Sequence, residues 1–241
     1  MNVKNIVSKL VSCVFPITCS SCGKDLPPGA IERVCQDCFK GFKKNDGLVC
    51  AKCGVFLADG GEHCFECRRD KRRFSFDLLR SPYIYDGNVR KLILKFKYSD
   101  RMFIAKEFAS DMSEAAVKND FNIYADYIVP VPLNILRRAK RGYNQAEILA
   151  AVLSKEISKP VLTNVLYRKK ITKPQFKLSK RERAENMKSS FLIKNAELVK
   201  SKNILLIDDV ATTGATLSAC AKTLKSAGAK KVFALTLARD V

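Results

Sequence analysis

The sequence predicts an α/β protein: a mostly parallel sheet flanked by helices, preceded by a small amino-terminal domain organised around metal. Three observations lead to it. Eight of the ten cysteines form four C-x-x-C pairs, all within the first 67 residues. From about residue 76 the pattern changes to short apolar runs alternating with helical periodicity. Residues 203–238 then read as strand, loop, helix and strand, the crossover that joins two parallel strands. The expected organisation is a double zinc-ribbon domain over residues 1–75, with an amino-terminal helix and a basic linker, and an α/β domain over residues 76–241.

In chain order, the opening "MNVKNIVSKLVSCVF" places Val3, Ile6, Val7, Leu10, Val11 and Val14 near helical spacing, with Lys4 and Lys9 breaking any apolar core. A short amphipathic helix fits this better than a signal peptide. No apolar run approaches the roughly 18 to 20 residues that span a bilayer, so a cytoplasmic protein is expected. The four pairs follow: Cys19 and Cys22, Cys35 and Cys38, Cys50 and Cys53, Cys64 and Cys67. One C-x-x-C turn sets two thiolates along an edge of a zinc tetrahedron, and two such turns close a four-thiolate site. The expectation is two structural Zn2+ sites. Their pairing stays open, sequential or interleaved. Gly23 and Gly54 directly follow two of the turns, where the backbone must curl. A disulfide scaffold would need an oxidising compartment, for which no secretory signal speaks. Cys13, Cys220 and His63 are read as non-ligands. After Cys67, "RRDKRRFSF" reads as a linker or a solvated face, with an exposed phosphate-binding strip as the lesser reading.

The second domain opens with the extended "LLRSPYIYDG", and Gly87 turns the chain into a helix over 88–98 with an apolar stripe of Val89, Leu92, Ile93 and Phe96. A second helix is expected through "RMFIAKEFASDMSEAAVK". "DYIVPVPL" is a short buried strand that Pro130 and Pro132 terminate. "NQAEILAAVLSKEI" is a third helix, and "KPVLTNVLYR" and "SSFLIK" are strands. "KNILLIDD" and "KKVFALTLA" are largely apolar runs, of the kind buried on both faces of a parallel sheet. Between them a helix over 213–227 carries Leu217, Cys220, Ala221 and Leu224 on one face, and Gly228 stops it.

The chemistry gathers where the first of those two strands ends. Asp208 and Asp209 precede Ala211, Thr212, Thr213, Gly214, Ala215 and Thr216. Helix-start N–H groups and threonine hydroxyls make a phosphate cradle, and Gly214 lets the backbone approach an anion. Two adjacent carboxylates can accept from a sugar diol or hold a divalent cation. Phosphate and diol at that separation suit a ribose 5-phosphate. The overall charge agrees with an anionic partner: 44 Lys and Arg against 24 Asp and Glu, a net +20.

"LLIDDVATTGAT" is similar to the phosphoribosyl pyrophosphate (PRPP) loop of type I phosphoribosyltransferases. Nearly the whole chain resembles the ComF family, which includes the GntX-like proteins: the paired cysteines, "VPVPL", "RRAKRGYNQAEILA", a T-x-x-Q-x-x-L-S-x-x-x-R-x-x-N segment and the PRPP loop. The resemblance implies the type I phosphoribosyltransferase fold and a link to natural transformation. It implies that Asp208 and Asp209 contact the ribose hydroxyls directly or through Mg2+, and that residues 211–216 bind the 5-phosphate. It places the pyrophosphate at Val131 and Pro132, with Arg137, Arg138, Lys140 and Arg141 close by. It assigns Thr172, Gln175, Arg183 and Asn186 to a mobile loop that closes over the site. Within 168–188 nine basic residues stand against two acidic ones. Two readings of function follow: pentosyl transfer from PRPP to an acceptor that no motif names, or a DNA-handling accessory that contacts single-stranded DNA or a competence helicase partner.

Overall fold

Two short helices, α1 (Gln36–Lys40) and α2 (Phe65–Arg69), start directly after Cys35 and Cys64 in the computed structural model of the protein. The structure describes residues 17–28, 30, 32–70, 73–98, 102–169 and 190–240. The amino-terminal helix expected over the first 14 residues, Cys13, and the loop residues Thr172, Gln175, Arg183 and Asn186 lie outside them. Next come β1 (Leu78–Arg80), β2 (Tyr83–Ile84), α3 (Gly87–Tyr98), α4 (Ile104–Glu107), α5 (Ala109–Lys118), α6 (Phe121–Tyr124) and β3 (Tyr127–Pro130). The chain continues through α7 (Ile135–Arg141), α8 (Gln145–Ile157), β4 (Leu166–Arg168), β5 (Phe191–Ile193), β6 (Asn203–Ala211), α9 (Ala215–Ser226) and β7 (Lys231–Arg239).

The main sheet is parallel throughout. β6 and β7 form its centre, in register from Asn203↔Lys231 to Ala211↔Arg239. β3 lies outside β6, with Tyr127 opposite Ile204 and Pro130 opposite Ile207. β1 and then β2 lie outside β7, Leu78 opposite Phe233 and Tyr83 opposite Ala238. β4 and β5 pair antiparallel as a separate two-stranded ribbon. This is the expected α/β class with a mostly parallel sheet.

Ile204, Leu205, Leu206 and Ile207 are all fully buried, so both faces of the sheet are covered. Side chains alternate along a strand, and the two faces build two cores. One joins Leu205, Ile207 and Leu235 to α3, α5, α8 and the first cysteine pairs through Cys19, Val34, Cys38 and Phe42. The other joins Leu206 and Ala234 to α9 and the later pairs through Cys50, Cys53, Leu57 and Cys67. Backbone bonds reinforce the attachment: Leu79 N–H donates to Lys52 O at 3.0 Å, Asn45 N–H to Pro82 O at 2.8 Å, and Ile84 N–H to Lys43 O at 2.9 Å.

Three elements differ from the sequence reading. The long second helix breaks at Phe108, whose side chain is fully buried against Phe42 and Tyr83, so α4 and α5 meet there instead of running on. The strand expected over 159–168 shrinks to β4, with Val161 adding one bridge to Ile128. The cationic stretch after Pro132 is a helix, α7, capped by the Asn134 side chain accepting from Leu136 N–H and closed by left-handed Gly142. Among the described residues no helix is long and apolar enough to cross a membrane.

The contact between the second cysteine module and the sheet is tight at Gly54. Its φ is +65°, and a Cβ there would fall 2.5 Å from Leu79 O, whereas Gly23, at φ +81°, has open space around it. Gly54→Ala is therefore expected to lose about 3 kcal/mol or more and roughly 6–12 °C in Tm. Gly23→Ala pays only the left-handed backbone cost, about 1 kcal/mol. Thermal denaturation of the two variants side by side checks the difference; equal losses would mean the module is not seated on β1 as described.

Candidate functional site

Parallel strands end on the same side, and in open α/β sheets that edge is where ligands sit. Here it collects the end of β6, the β3 turn and the start of α9. β6 carries Asp208, Asp209 and Ala211, with Asp208 opposite Thr236 of β7. Beyond it Thr212 and Thr213 are exposed, and Gly214 adopts φ +73°, a left-handed turn that sets the first turn of α9. The Thr213 hydroxyl accepts from Ala215 N–H at 3.3 Å. Ala211 is thus the last strand residue, and the open loop is Thr212 to Gly214 followed by Ala215 and the exposed Thr216. After Ala215, the N–H groups of Thr216 and Leu217 have no intrahelical acceptor, which leaves them for an anion.

The two carboxylates point to opposite faces of the sheet, as successive strand residues do. Asp209, 8% exposed, reaches toward α3 and pairs with Lys97 Nζ at 2.9 Å. Asp208 lies on the α9 side, accepts from Asp209 N–H at 2.8 Å, and feels the charges of Lys97 and Arg168. Burial and the Asp209 charge push its carboxyl up to about 7, against the pull of those cations. The pair therefore brackets the strand end, one acid already neutralised by a lysine and the other readily protonated.

The β3 turn runs beside them. Val131 N–H donates to Ile207 O at 2.9 Å, and Val131 O accepts from Asn144 Nδ2 at 3.0 Å, which fixes the turn between β6 and the start of α8. Of the four cations that follow, Arg138 makes two bonds to Glu147, at 2.7 and 3.2 Å. Arg141 bonds Gln145 at 3.1 Å and the Tyr98 hydroxyl at 3.0 Å, over whose ring it also sits. Arg137 and Lys140 are exposed on α7 without an ion pair among the described residues. The loop residues Thr172, Gln175, Arg183 and Asn186 fall outside the described residues.

The eight paired cysteines form two sets in sequential order: Cys19, Cys22, Cys35 and Cys38; Cys50, Cys53, Cys64 and Cys67. Within each set the sulfurs lie within 4.8 Å of one another. A tetrahedron with Zn–S bonds of about 2.3 Å has S···S edges of about 3.8 Å. The Cys19–Cys38, Cys22–Cys35 and Cys53–Cys64 separations are 3.8, 3.8 and 3.7 Å. Backbone N–H groups of Ser21 and Cys35 also point at Cys19 Sγ. Burial raises that thiol, but the backbone N–H groups of Cys22, Cys35 and Ser21 outweigh it and bring it down to about 6. The donor set fits a structural zinc in both places. Cys220 is buried on α9 away from both sets.

Two residues at this edge are not among the site residues read from the sequence, Lys97 having been placed around the apolar stripe of its helix. Lys97 follows Val89 and Ile93 at four-residue steps, so it continues the buried stripe of α3 and is the one cation on it. Arg239 ends the otherwise apolar β7 and is 6% exposed. In both cases the signal was a charge standing at a position the pattern reserves for apolar side chains.

Residues 107–240 match the phosphoribosyl transferase domain family. Over 235 residues the chain is 31% identical to competence protein F of Haemophilus influenzae, covering 93% of this chain and 98% of that protein. It is 33% identical to competence protein ComFC of Bacillus subtilis, over 87% and 85% of the two chains. It is also 27% identical to the DNA utilization protein YhgH of Escherichia coli K12, over 86% and 91%.

The raised carboxyl of Asp208 has a consequence for stability. Its pKa in the fold lies above the unfolded value of about 4, so the fold resists its ionisation, and stability falls as pH rises from about 4 through about 7. Asp208→Asn removes that penalty. The variant should melt above the parent at pH 8 and match it at pH 4; a Tm difference that does not change with pH would contradict the assignment.

Proposed function

The chain belongs to the ComF family of phosphoribosyl transferase-domain proteins, and we propose that its site binds PRPP with Mg2+ and passes the phosphoribosyl group to an acceptor. The observation that carries this reading is the convergence, at one edge of the sheet, of the open Thr212–Gly214 loop, the Asp208 and Asp209 carboxylates and the Val131–Pro132 turn. In it, N–H groups and hydroxyls of residues 212–216 hold the 5-phosphate, and Asp208 and Asp209 hold the ribose hydroxyls. The pyrophosphate lies along Val131 and Pro132, within reach of cations from α7 and of Lys97.

The reaction is displacement at the anomeric carbon: the bond to the pyrophosphate oxygen breaks with its electron pair, and a lone pair of the acceptor forms the new bond. Positive charge builds on the ribose ring in between, as in glycosyl transfer generally. Mg2+, when bound, offsets the charge of the leaving pyrophosphate. The protein's own part is to fix the two ends of the donor and to present cations to the leaving group. Each four-cysteine set holds a Zn2+ closed by four thiolates, with no open position and hence no role in the chemistry. The reducing cytoplasm keeps those cysteines available as ligands.

The test is calorimetric titration of PRPP with and without Mg2+, on protein whose metal content is measured in the same preparation. Metal-dependent binding is expected, lost in the Asp208→Asn, Asp209→Asn variant, with two zinc equivalents per chain. No binding by folded, zinc-loaded protein would end the reading.

A second reading rests on the exposed cations of α7, where Leu136 is also 79% exposed, and on relatives named for competence and DNA utilization. In it the protein serves DNA uptake by contacting single-stranded DNA or a helicase partner. Binding to single-stranded DNA that weakens steeply with salt is then expected, and weakens less steeply in an Arg137→Ala, Lys140→Ala variant; no binding at low salt removes the direct contact.

A further inference from the structure

The carboxyl end of β7 holds a buried cation that neither the cradle nor the carboxylates account for. The Arg239 guanidinium makes no ion pair with a carboxylate among the described residues; it is spent on backbone carbonyls. Nε donates to Cys53 O at 3.1 Å, and Nη1 donates to Ala211 O at 2.9 Å, to Asp240 O at 2.9 Å and to Thr212 O. Cys53 belongs to the second four-cysteine set, and Ala211 and Thr212 lead into the loop before α9. One side chain thus ties the metal-binding module to the loop.

The tie acts on the atoms that matter. In a trans peptide the N–H points opposite to the C=O. Holding the carbonyls of Ala211 and Thr212 toward Arg239 therefore turns the N–H groups of Thr212 and Thr213 the other way, out of the loop. The Thr213 and Gly214 N–H groups donate to nothing among the described residues. A second link runs from the same module: Phe74, seven residues after Cys67, lies where a Gly214 Cβ would come within 3.1 Å of its ring. Next to it, Ser75 N–H donates to the Ser218 hydroxyl of α9 at 2.9 Å.

We propose that Arg239 is the positioning residue of the anion loop, and that through it the second four-cysteine module is part of the phosphate subsite. The proposal rests on the reading of residues 212–216 as a phosphate cradle. Lysine preserves the charge at 239 but offers no planar fork able to reach carbonyls on both sides.

The experiment titrates the full, zinc-loaded chain and its Arg239→Lys and Arg239→Gln variants with two probes, ribose 5-phosphate and Mg2+–pyrophosphate. Zinc content and amide hydrogen exchange are measured alongside. Both variants are expected to lose ribose 5-phosphate affinity by about tenfold or more, the order that one or two charge-assisted bonds control. Pyrophosphate affinity and zinc content stay within twofold of the parent, and exchange quickens at 211–214. Unchanged ribose 5-phosphate affinity in a folded variant overturns the role of Arg239 and leaves the cradle standing. Equal losses for both probes overturn it as well, since the effect would then be general. A parent chain that binds pyrophosphate but not ribose 5-phosphate overturns the cradle itself, and this proposal with it.

Discussion

The structure depends on the pairing of β6 with β7. Both strands run nine residues in parallel register, and their apolar side chains are buried on both faces. A sheet so apolar cannot leave either face to water. Helices cover part of each face: α3, α5 and α8 on one, α9 on the other. The cysteine modules complete the covering, the first on the α3 side and the second on the α9 side. They are small, and a segment of that size closes no core of its own without a metal or a partner surface. Here each has a four-cysteine set that fits a metal and a face of the sheet to pack on.

The same arrangement governs the charges. Arg80, next to Cys50 and Ala51, donates to their carbonyls and to Asn119 rather than to a carboxylate. Burial pulls its guanidinium below the usual range, and the thiols of Cys50 and Cys53 work against that. A zinc held by four thiolates would carry a net charge of −2, and Arg80 is the cation that feels the Cys50 and Cys53 thiols. Lys97 plays that part for Asp209.

Much of this was legible in the residues. The C-x-x-C spacing announced two metal sites, though not that they close in sequential order, because spacing alone does not say which turns meet in space. The apolar runs announced β6 and β7, and Leu217, Cys220, Ala221 and Leu224 line α9 as read. The acid pair was legible as a site but not as two acids on opposite faces, although the two-residue period of a strand implies it. Asn134 and Gly142 are sound boundary signals for α7, where the sequence reading named only the cations between them. Phe108 breaks a helix that periodicity would continue, because its ring has a better place against Phe42 and Tyr83 than the helix axis allows. Arg239 was legible only as a charge ending an apolar run; its partners were not, being backbone carbonyls from segments 28 and 186 residues away that only the fold brings together.

Among the described residues β7 follows every other strand, yet it lies inside the sheet, between β1 and β6. During synthesis β1, β3 and β6 all emerge before the strand that joins them. Until β7 inserts, β1 has no partner in the main sheet, β6 holds only β3, and the apolar faces of β6 stay open. Contacts such as Leu78 with Phe233 close loops of more than 150 residues, and long-range pairings of that kind form late and slowly. The nascent chain therefore passes through a stage with one long unpaired strand edge, the state most exposed to aggregation and to chaperones.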